Sequence, residues 1–331
     1  MLQFLDKFKE KGNERLLSFA IMTTIDLKGG GSQLQIFQEE QCSPSLVDGL
    51  EQKSVSFLAV HILLSVTAFL GNSLILIALR KECSLHPPSK LLYRSLAITD
   101  LLVGLVSEPL YVTYWIFLAQ ENWSLCQYAR DAYHITSYAL CGASLMTMTA
   151  ISVDRLLALL LGMRYRQIVT LKRTYIIAAT LWVIPTVAAL FINLYHNITN
   201  WYEYIVIPSC LVITIISYTK IFRTLNRHQA EVQGRVQQQP SQPNALNMVR
   251  YKKAVYSALW VQLALIVCYA PYFIVAIVIA KSKRYSSQLV VSRGAAGTLV
   301  YFNSTLNPFL YCWKISEIRQ AVKQTIREAL C

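Results

Sequence analysis

The sequence predicts an all-α membrane protein, a seven-transmembrane helix bundle followed by a short amphipathic C-terminal helix. Of its 331 residues, 54% are hydrophobic and 15% are charged, whereas soluble domains carry roughly 25% charged residues. Runs with almost no charge fall at 54–79, 132–153, 174–195, 204–219, 254–280 and 294–313. A further run around 91–118 is interrupted by Arg94, Asp100 and Glu108. Most of these runs reach the roughly 20 residues that cross a bilayer as a helix, which gives seven spans.

The distribution of basic residues predicts the orientation of these spans. With the N-terminus outside, the inner loops and helix ends hold 20 of the 31 Lys and Arg residues but 5 of the 18 acidic residues. Membrane proteins concentrate Lys and Arg on the cytoplasmic side, so we predict an external N-terminus, although KSKR at 281–284 then lies outside. The net charge of +13 is divided among loops, so we expect the lipid bilayer, and not nucleic acid, as a partner.

Three regions follow one another along the chain. Residues 1–54 are polar, mixed in charge and contain GGGS at 29–32, which is typical of a largely flexible extracellular tail. Within the tail, LLSFAIMTTI (16–25) lacks a convincing small-residue cleavage site, so we expect the first span, rather than a signal sequence, to direct insertion. Residues 55–313 form the transmembrane domain, and residues 314–331 a cytoplasmic amphipathic helix. The apolar side chains at helical spacing in that last segment are Ile315, Ile318, Val322 and Ile326.

Each predicted span carries a polar or proline-containing motif. The first three spans contain GNSLILIAL (71–79), SLAITDLL (95–102) and TAISVDRLL (149–157). The fourth carries Trp182 and Pro185, and the fifth carries Pro208 and Tyr218. The sixth contains VCYAPY (267–272) and the seventh NSTLNPFLY (303–311). Each motif alone is weak evidence for any one kind of membrane protein, because proline is tolerated in membrane helices and Asp-Arg is a common dipeptide. The presence of one motif in every span, in this order, is specific evidence.

With these motifs in this order, residues 55–331 resemble the rhodopsin-like (class A) G-protein-coupled receptors. The resemblance implies a plasma-membrane receptor that transmits the binding of an extracellular ligand to a heterotrimeric G protein, and not an enzyme. The cysteine-free loop NLYHNITN (193–200) and the stretch 151–173 are similar to those of the melanocortin receptors. The melanocortin receptors lack a proline at the position of Pro208, so we do not infer a peptide ligand from this similarity.

A seven-helix transporter or channel is the alternative interpretation. Transporters tend to contain inverted repeats, broken helices and several charges within the membrane. This chain has no evident internal repeat, and Asp100 and Glu108 are the only acids well inside the predicted spans. The sequence therefore favours the receptor.

Asp100 stands among apolar residues with no basic residue nearby, and a charge at mid-bilayer costs ~3 kcal/mol or more. In class A receptors the acid of the second span faces a polar chamber that can hold an allosteric sodium ion, the only cofactor we expect here. The resemblance carries this sodium chamber onto Asp100, Asn72, Ser144, Asn303, Ser304 and Asn307. Their oxygens suit a hard cation. The alternative is a set of ordinary interhelical hydrogen bonds.

The same resemblance assigns G-protein coupling and activation to a second set of residues. They are Asp154, Arg155, Tyr218, Tyr311, Pro271, Tyr269 and Pro308. Asp154 is expected to restrain Arg155 at rest, and Arg155 to engage the G protein once the sixth span moves outward. The segment 249–256 offers no acid to hold Arg155, so we expect ligand-independent signalling. Leu156 and Tyr269 replace the tyrosine and tryptophan common in the family, which weakens the role of Tyr269 as a rotating toggle.

The outer half of the bundle is expected to form an aromatic, weakly polar ligand pocket. Its predicted residues are Glu108, Tyr111, Tyr114, Ser137, Tyr138, Cys141, Asn200, Trp201, Tyr204, Tyr272, Phe273, Gly297 and Tyr301. Any one of the aromatic residues could instead serve packing or anchor the helix at the interface. Aminergic receptors carry aspartate where Ser137 stands, so a monoamine is not expected unless Glu108 or Asp131 takes that role. Tyr301 replaces the retinal-binding lysine of opsins, which excludes light sensing.

Covalent modifications complete the sequence predictions. Cys42 and Cys126 lie outside and either form a disulfide or remain two free thiols. Asn122 and Asn197 begin glycosylation sequons on the outer side. Cys331 is a candidate for palmitoylation. Few serines and threonines follow the seventh span, so we expect weak engagement of arrestin.

Overall fold

The computed structural model describes Cys42 and residues 51–80, 85–191, 202–236, 244–282, 287–314 and 316–330. Several sequence predictions lie outside these residues. They concern most of the tail with the segment 16–25, the sequon at Asn197, the pocket residues Asn200 and Trp201, and Cys331. The segment 249–256 is helical, but its side chains also lie outside the described part.

Helices account for nearly all of the described chain. The first span is the helix Glu51–Arg80, and the second runs through Pro87–Leu102, a π-turn at Val103–Ser107 and Glu108–Ala119. The third span is Trp123–Leu161 and the fourth Leu171–Leu190, with a 3-10 turn Gly162–Arg164 and a short helix Tyr165–Ile168 between them. The fifth span is Ile207–Val236 after a π-turn at Tyr202–Val206, the sixth Asn244–Lys281 and the seventh Ser287–Lys314. The C-terminal helix is Ser316–Leu330.

The first six spans each contain a helix long and apolar enough to cross a membrane, whereas the seventh is more polar. The seventh helix turns its polar residues inward, since Asn303, Ser304 and Asn307 are buried. Its lipid side is apolar, with Phe302 and Phe309 exposed. Polar groups inside and apolar groups outside are what a bundle in lipid requires, because unsatisfied polar atoms in hydrocarbon cost several kcal/mol.

The third span lies at the centre of the bundle and contacts the second, fourth, fifth, sixth and seventh spans. Thr214 of the fifth span donates to Thr149 at 3.3 Å, and Tyr269 of the sixth donates to the carbonyl of Cys141 at 3.1 Å. Ser137 is hydrogen-bonded to Tyr301 of the seventh span. The third span has 39 residues, so it runs from one end of the bundle to the other and contacts neighbouring spans along this length.

A π-turn interrupts the second span and ends at Ser107, two residues before Pro109. Proline has no N–H for the usual helical bond, and π-turns accommodate such breaks. Within this turn Gly104 lies against the first span, whose Ser65 donates to the Gly104 carbonyl at 2.6 Å. The close approach depends on the missing side chain, because a Cβ on Gly104 would lie 2.8 Å from the carbonyl oxygen of Ser65.

The C-terminal helix packs against the first and seventh spans. Ile318 and Val322 are buried in this contact, whereas Ile326 is 41% exposed. The apolar face predicted from the sequence is thus divided between the bundle and the outer surface of the helix.

Replacing Gly104 with alanine should destabilise the protein. The added Cβ would meet the Ser65 carbonyl and the backbone nitrogen of Phe69, neither of which can move without shifting the first span. Overpacking of this kind costs about 1–3 kcal/mol. We expect Gly104→Ala to lower the unfolding temperature of the purified protein in detergent.

Gly297→Ala is the matched control, because a Cβ at Gly297 meets nothing within 4 Å. Its unfolding temperature should equal or exceed that of the wild type, since alanine favours a helix over glycine by about 1 kcal/mol. An undiminished unfolding temperature for Gly104→Ala would contradict the close packing of the two spans.

Candidate functional site

A buried carboxylate joins three helices at the middle of the bundle. Asp100 of the second span is 0% exposed. Its Oδ1 accepts hydrogen bonds from Ser144 of the third span and Ser304 of the seventh, both at 2.8 Å. Its Oδ2 accepts one from Asn307 at 2.7 Å. Hydrogen bonds to a charged group contribute about 1.5–3 kcal/mol each, so this contact holds the three spans in one arrangement.

Two further asparagines adjoin this carboxylate. Asn72 of the first span donates to the carbonyl of Ser304 at 3.1 Å, and Asn303 donates to Met148 Sδ at 3.3 Å. The structure therefore brings all six residues of the predicted chamber together, with Asn72 and Asn303 linked to Asp100 through their neighbours.

The chamber contains acceptors that the described residues leave unsatisfied. The Oδ1 atoms of Asn72, Asn303 and Asn307 are buried and accept no hydrogen bond from the described part of the chain. A carboxylate has about four acceptor sites, and three donors reach Asp100. Leaving a buried acceptor unsatisfied costs about 1–3 kcal/mol. The donor set, one carboxylate with amide and hydroxyl oxygens, fits a hard cation such as sodium.

A second polar cluster lies at the other end of the third span from the cavity described below. Asp154 is 5% exposed and accepts hydrogen bonds from Arg155 at 2.7 Å and from Ser89 at 2.9 Å. The hydroxyl of Tyr165 also donates to Asp154, at 2.5 Å. Arg155 in turn donates to Ser89 at 2.5 Å. The predicted Asp154–Arg155 contact is present, and the sequence analysis missed Ser89 and Tyr165. Ser89 lies 65 residues before Asp154 and Tyr165 lies 11 residues after it, so no short motif linked either residue to the Asp-Arg pair.

The other predicted activation residues lie inside the bundle. Tyr218 and Tyr311 are both buried, and the ring of Tyr311 packs edge-on against Tyr93 at 5.2 Å. Pro271 and Pro308 lie within the sixth and seventh helices. Tyr269 is buried too; it donates to the Cys141 carbonyl and lies in the wall of the cavity described below.

The half of the bundle that the sequence predicts to face outward contains a cavity of about 110 Å³. Eight of the thirteen predicted pocket residues line it: Tyr111, Tyr114, Ser137, Tyr138, Cys141, Tyr272, Gly297 and Tyr301. Tyr204 and Phe273 do not line the cavity; Tyr204 donates to the carbonyl of Ala276 at 3.2 Å, and its ring packs against Phe273 at 6.5 Å.

Glu108 is also absent from the cavity lining, because its carboxylate faces the first span. Oε2 of Glu108 lies 2.7 Å from Nδ1 of His61, and Nε2 of His61 lies 3.0 Å from the hydroxyl of Thr298. His61 and Glu108 are fully buried. The three side chains join the first, second and seventh spans, so Glu108 has a structural partner that its sequence position did not reveal.

The lining also contains residues that the sequence analysis missed, chiefly Arg293, Tyr133 and His134. Arg293 lies four residues before Gly297, and Tyr133 lies four before Ser137. Residues four apart occupy the same face of a helix, so helical periodicity from the predicted residues was the signal that could have found Arg293 and Tyr133.

Cys42 and Cys126 form a disulfide that attaches the tail to the start of the third span, with both cysteines buried. Asn122, of the predicted outer sequon, is exposed and caps this helix, its side chain accepting from the backbone N–H of Leu125 at 3.3 Å. The disulfide therefore lies at the cavity end of the bundle.

These features together define a receptor that crosses the membrane several times. One end of the bundle holds an aromatic cavity, the other an Asp-Arg cluster, and a buried carboxylate lies between them. The family model of the 7 transmembrane receptor (rhodopsin family) matches residues 71–210 and 195–311. The chain belongs to this family and is a G-protein-coupled receptor.

Curated relatives agree with this assignment. The chain is 25% identical to human melanocortin receptor 5 over 276 residues, which covers 81% of this chain and 83% of the relative. It is 24% identical to the mouse protein of the same name over 276 residues, with the same two coverages. It is 26% identical to octopamine receptor beta-2R of Chilo suppressalis over 323 residues, 82% of this chain and 80% of the relative. All three are receptors rather than enzymes, and none favours a transporter or channel.

Removing the hydroxyl of Tyr165 should raise signalling in the absence of ligand. Tyr165→Phe deletes one of the three donors that hold Asp154 beside Arg155. A hydrogen bond contributes about 0.5–1.5 kcal/mol to stability. Because this bond is expected in the resting state alone, its loss should raise the basal exchange rate about two- to tenfold. The measurement is the basal rate of nucleotide exchange on a co-reconstituted G protein.

Tyr175→Phe is the control for this substitution, because Tyr175 is exposed on the fourth span and takes no part in the hydrogen bonds of the cluster. It should leave the basal rate unchanged. A basal rate in Tyr165→Phe at or below the wild-type value would show that the bond to Asp154 does not restrain the receptor.

Proposed function

We propose that this receptor lies in the plasma membrane with its N-terminus outside, takes an extracellular ligand into the aromatic cavity and activates a G protein through Arg155. The observation that carries the proposal is the arrangement of the third span. Ser137 lies at the cavity and Arg155 at the opposite end of the same helix, separated by about 27 Å at 1.5 Å per residue. Ser144, between them, donates to Asp100.

Two independent features support this orientation. The Cys42–Cys126 disulfide lies at the cavity end, and disulfides persist in oxidising surroundings such as the cell exterior. The opposite end carries the excess of Lys and Arg that is typical of the cytoplasmic side. The same orientation makes residues 1–54 extracellular and residues 314–331 cytoplasmic, and it leaves Asn122 and Asn197 accessible to glycosylation.

The chamber around Asp100 is proposed as an allosteric sodium site. A bound sodium ion supplies positive charge to a carboxylate that is fully buried. Asp100, Ser304 and Asn307 then hold the second and seventh spans in the resting arrangement. An active arrangement that separates these side chains loses the site, so sodium should favour the resting receptor.

The proposed ligand is not a simple monoamine. Among the described residues that line the cavity none is acidic. Glu108 faces His61, and Asp131 accepts hydrogen bonds from Arg130 at 2.8 and 2.9 Å, so neither acid is placed to bind a cationic amine in the cavity. The ligand in the name of the octopamine receptor therefore applies to that relative alone. For this chain the proposed ligand is either a peptide or a small molecule other than a simple monoamine.

Two proposals concern the cytoplasmic side. The segment after the seventh span carries Ser316 and Thr325 as its hydroxyl groups, and Thr325 is buried. Arrestin capture needs clustered phosphates, so its engagement should be weak. Palmitoylation of Cys331 would attach the end of the C-terminal helix to the inner leaflet.

Replacing Asp100 with asparagine should abolish the effect of sodium. In wild-type receptor, replacing potassium chloride by sodium chloride at constant ionic strength should lower basal nucleotide exchange on the G protein. Asp100→Asn keeps the shape but removes the charge that binds the cation, so its exchange rate should not depend on which salt is present.

Asp131→Asn is the control, because it removes an acid whose side chain is 40% exposed and paired with Arg130. It should retain the sodium effect of the wild type. If Asp100→Asn responds to sodium as the wild type does, the chamber is not the sodium site.

The purified receptor should also stimulate nucleotide exchange without any ligand. Arg155 is held by Asp154, and we expect no further acid from the sixth span to restrain it. Exchange on at least one class of heterotrimeric G protein should exceed that of receptor-free vesicles, and Arg155→Gln should remove the excess. Arg130→Gln, at the outer end, should retain it. Exchange at the receptor-free level with every G-protein class would contradict this prediction.

A further inference from the structure

A buried acid and a buried imidazole face each other behind the cavity wall. Oε2 of Glu108 lies 2.7 Å from Nδ1 of His61, and 0% of the Glu108 side chain and 1% of the His61 side chain are exposed. The centre of the His61 ring lies 4.4 Å from that of Tyr111 and 5.3 Å from that of Tyr301. Both tyrosines line the cavity, so this acid–imidazole pair of Glu108 and His61 packs directly against the proposed ligand site.

The hydrogen bonds of Thr298 indicate which nitrogen of His61 carries a hydrogen. The Thr298 hydroxyl donates its single hydrogen to the carbonyl of Gly294 at 2.9 Å, so it accepts from Nε2 of His61, which is 3.0 Å away. In a neutral imidazole with a hydrogen on Nε2, the other nitrogen, Nδ1, is an acceptor. A hydrogen is therefore needed between Nδ1 and Oε2 of Glu108, because two lone pairs at 2.7 Å would repel each other.

Two protonation states supply this hydrogen: a neutral carboxylic acid beside a neutral imidazole, or a carboxylate beside an imidazolium. The second state places two charges inside the membrane. It also leaves the carboxylate poorly satisfied, since Oε1 of Glu108 is buried and accepts no hydrogen bond from the described residues. Asp100 differs, because three donors reach its carboxylate. Burying a charge without its hydrogen bonds costs more than burying a neutral group, so the geometry favours a neutral acid at Glu108.

Other titratable or charged side chains lie around the pair on the second, third and seventh spans: Tyr111, Cys141, Arg293 and Tyr301. Phenols and thiols are largely neutral at neutral pH. Arg293 is always charged, and it donates to the hydroxyl of Tyr272 at 3.0 Å. A substitution of Glu108 leaves all four groups in place, so it separates their response to pH from that of the acid.

We propose that Glu108 is a neutral acid that donates its proton to the hydrogen bond with His61, and that release of this proton is a switch that raises signalling. The shared hydrogen connects the second span to the first, and Nε2 of His61 connects the first span to Thr298 of the seventh. The proposal rests on the proposed function, in which the cavity opens to the outside and the seventh span takes part in activation.

The switch changes one bond. At alkaline external pH the O–H bond of Glu108 breaks, and hydroxide from the outer solvent takes the proton to form water. The pair is left with a carboxylate that faces the lone pair of Nδ1, and these two groups repel each other. The hydrogen bond between the first and second spans is lost, and with it the fixed position of His61 against Thr298. The seventh span then loses a restraint, so basal signalling should rise.

Infrared spectroscopy detects the proton directly, because a protonated carboxyl group absorbs at a higher frequency than amides and carboxylates. The full-length receptor in lipid nanodiscs at neutral pH should show this band. Glu108→Gln should lack it, although the amide can still donate to Nδ1 of His61. Asp100→Asn is the matched control and should retain the band. Absence of the band from the wild type at neutral pH, or its presence in Glu108→Gln, would overturn the proposal.

Isotope labelling keeps this test available if Glu108→Gln fails to fold. In wild-type receptor grown with carbon-13-labelled glutamate the band should move to lower frequency, and Glu108 is the buried glutamate among the described residues. The band should also disappear as the pH is raised to alkaline values. A band that does not move with the label, or that persists at every pH at which the receptor stays folded, would contradict the switch.

Signalling is measured in intact cells whose external pH is raised from neutral to alkaline. Energy transfer between the subunits of each class of G protein reports basal activation, with untransfected cells as the baseline. Activation by the wild type should rise about two- to tenfold, the factor that one lost hydrogen bond gives. Glu108→Gln cannot release the proton and should stay at its neutral-pH level. Asp131→Asn, which removes a partly exposed acid of the third span, should respond as the wild type does.

The two measurements separate failure of the switch from failure of the proposed function. Basal activation that is present but independent of external pH, or that rises equally in Glu108→Gln, would overturn the switch. Activation at the untransfected level at every pH, together with an infrared band that disappears at alkaline pH, would refute the proposed function and leave the proton on Glu108.

Discussion

The structure depends on one buried carboxylate shared by neighbouring helices. Asp100 is reached by donors from the third and seventh spans, and Asn72 of the first span adjoins it through Ser304. An ionised group in lipid is costly, and it is tolerated only where partners from other helices surround it. The need to surround Asp100 therefore fixes four helices relative to one another. Because the contact requires all of its partners at once, it favours one arrangement of the bundle over others.

The third span, which contacts Asp100 through Ser144, extends to both ends of the bundle. At the cavity it contacts the sixth and seventh spans through Cys141 and Ser137, and at the opposite end Asp154 holds Arg155. A ligand can shift such a protein only by binding its two arrangements with different affinities. The cavity is lined by residues of the third, sixth and seventh spans, so a ligand bound there would contact the helices that the proposed activation moves. In this proposal the ligand, the chamber and the Asp-Arg cluster act through the same helix contacts.

Charge is distributed differently in the two halves of the bundle. Around Asp100 the neighbours are neutral oxygen and nitrogen groups, so the carboxylate is available to a cation. In the outer half Glu108 is turned toward His61, which leaves Arg293 as the permanent charge of the described cavity lining. The chamber therefore carries an acid and the cavity lining an arginine, although both lie in the same bundle. The charges are separated in this way because Asp100 faces Ser144 of the third span, whereas Glu108 faces His61 of the first span.

The sequence alone determined the class of protein and the spans, because apolar runs, basic loops and the motif order are local properties of the chain. The family resemblance that this motif order carries assigned Asp100 and its five neighbours to one chamber, and the structure brings them together. Only the tertiary structure completed the cavity wall and the cluster around Asp154. It turned Glu108 away, brought in Arg293 and added Tyr165 from a short helix. Those outcomes depend on the π-turn before Pro109 and on helix rotation and crossing, which arise from packing between segments distant in sequence.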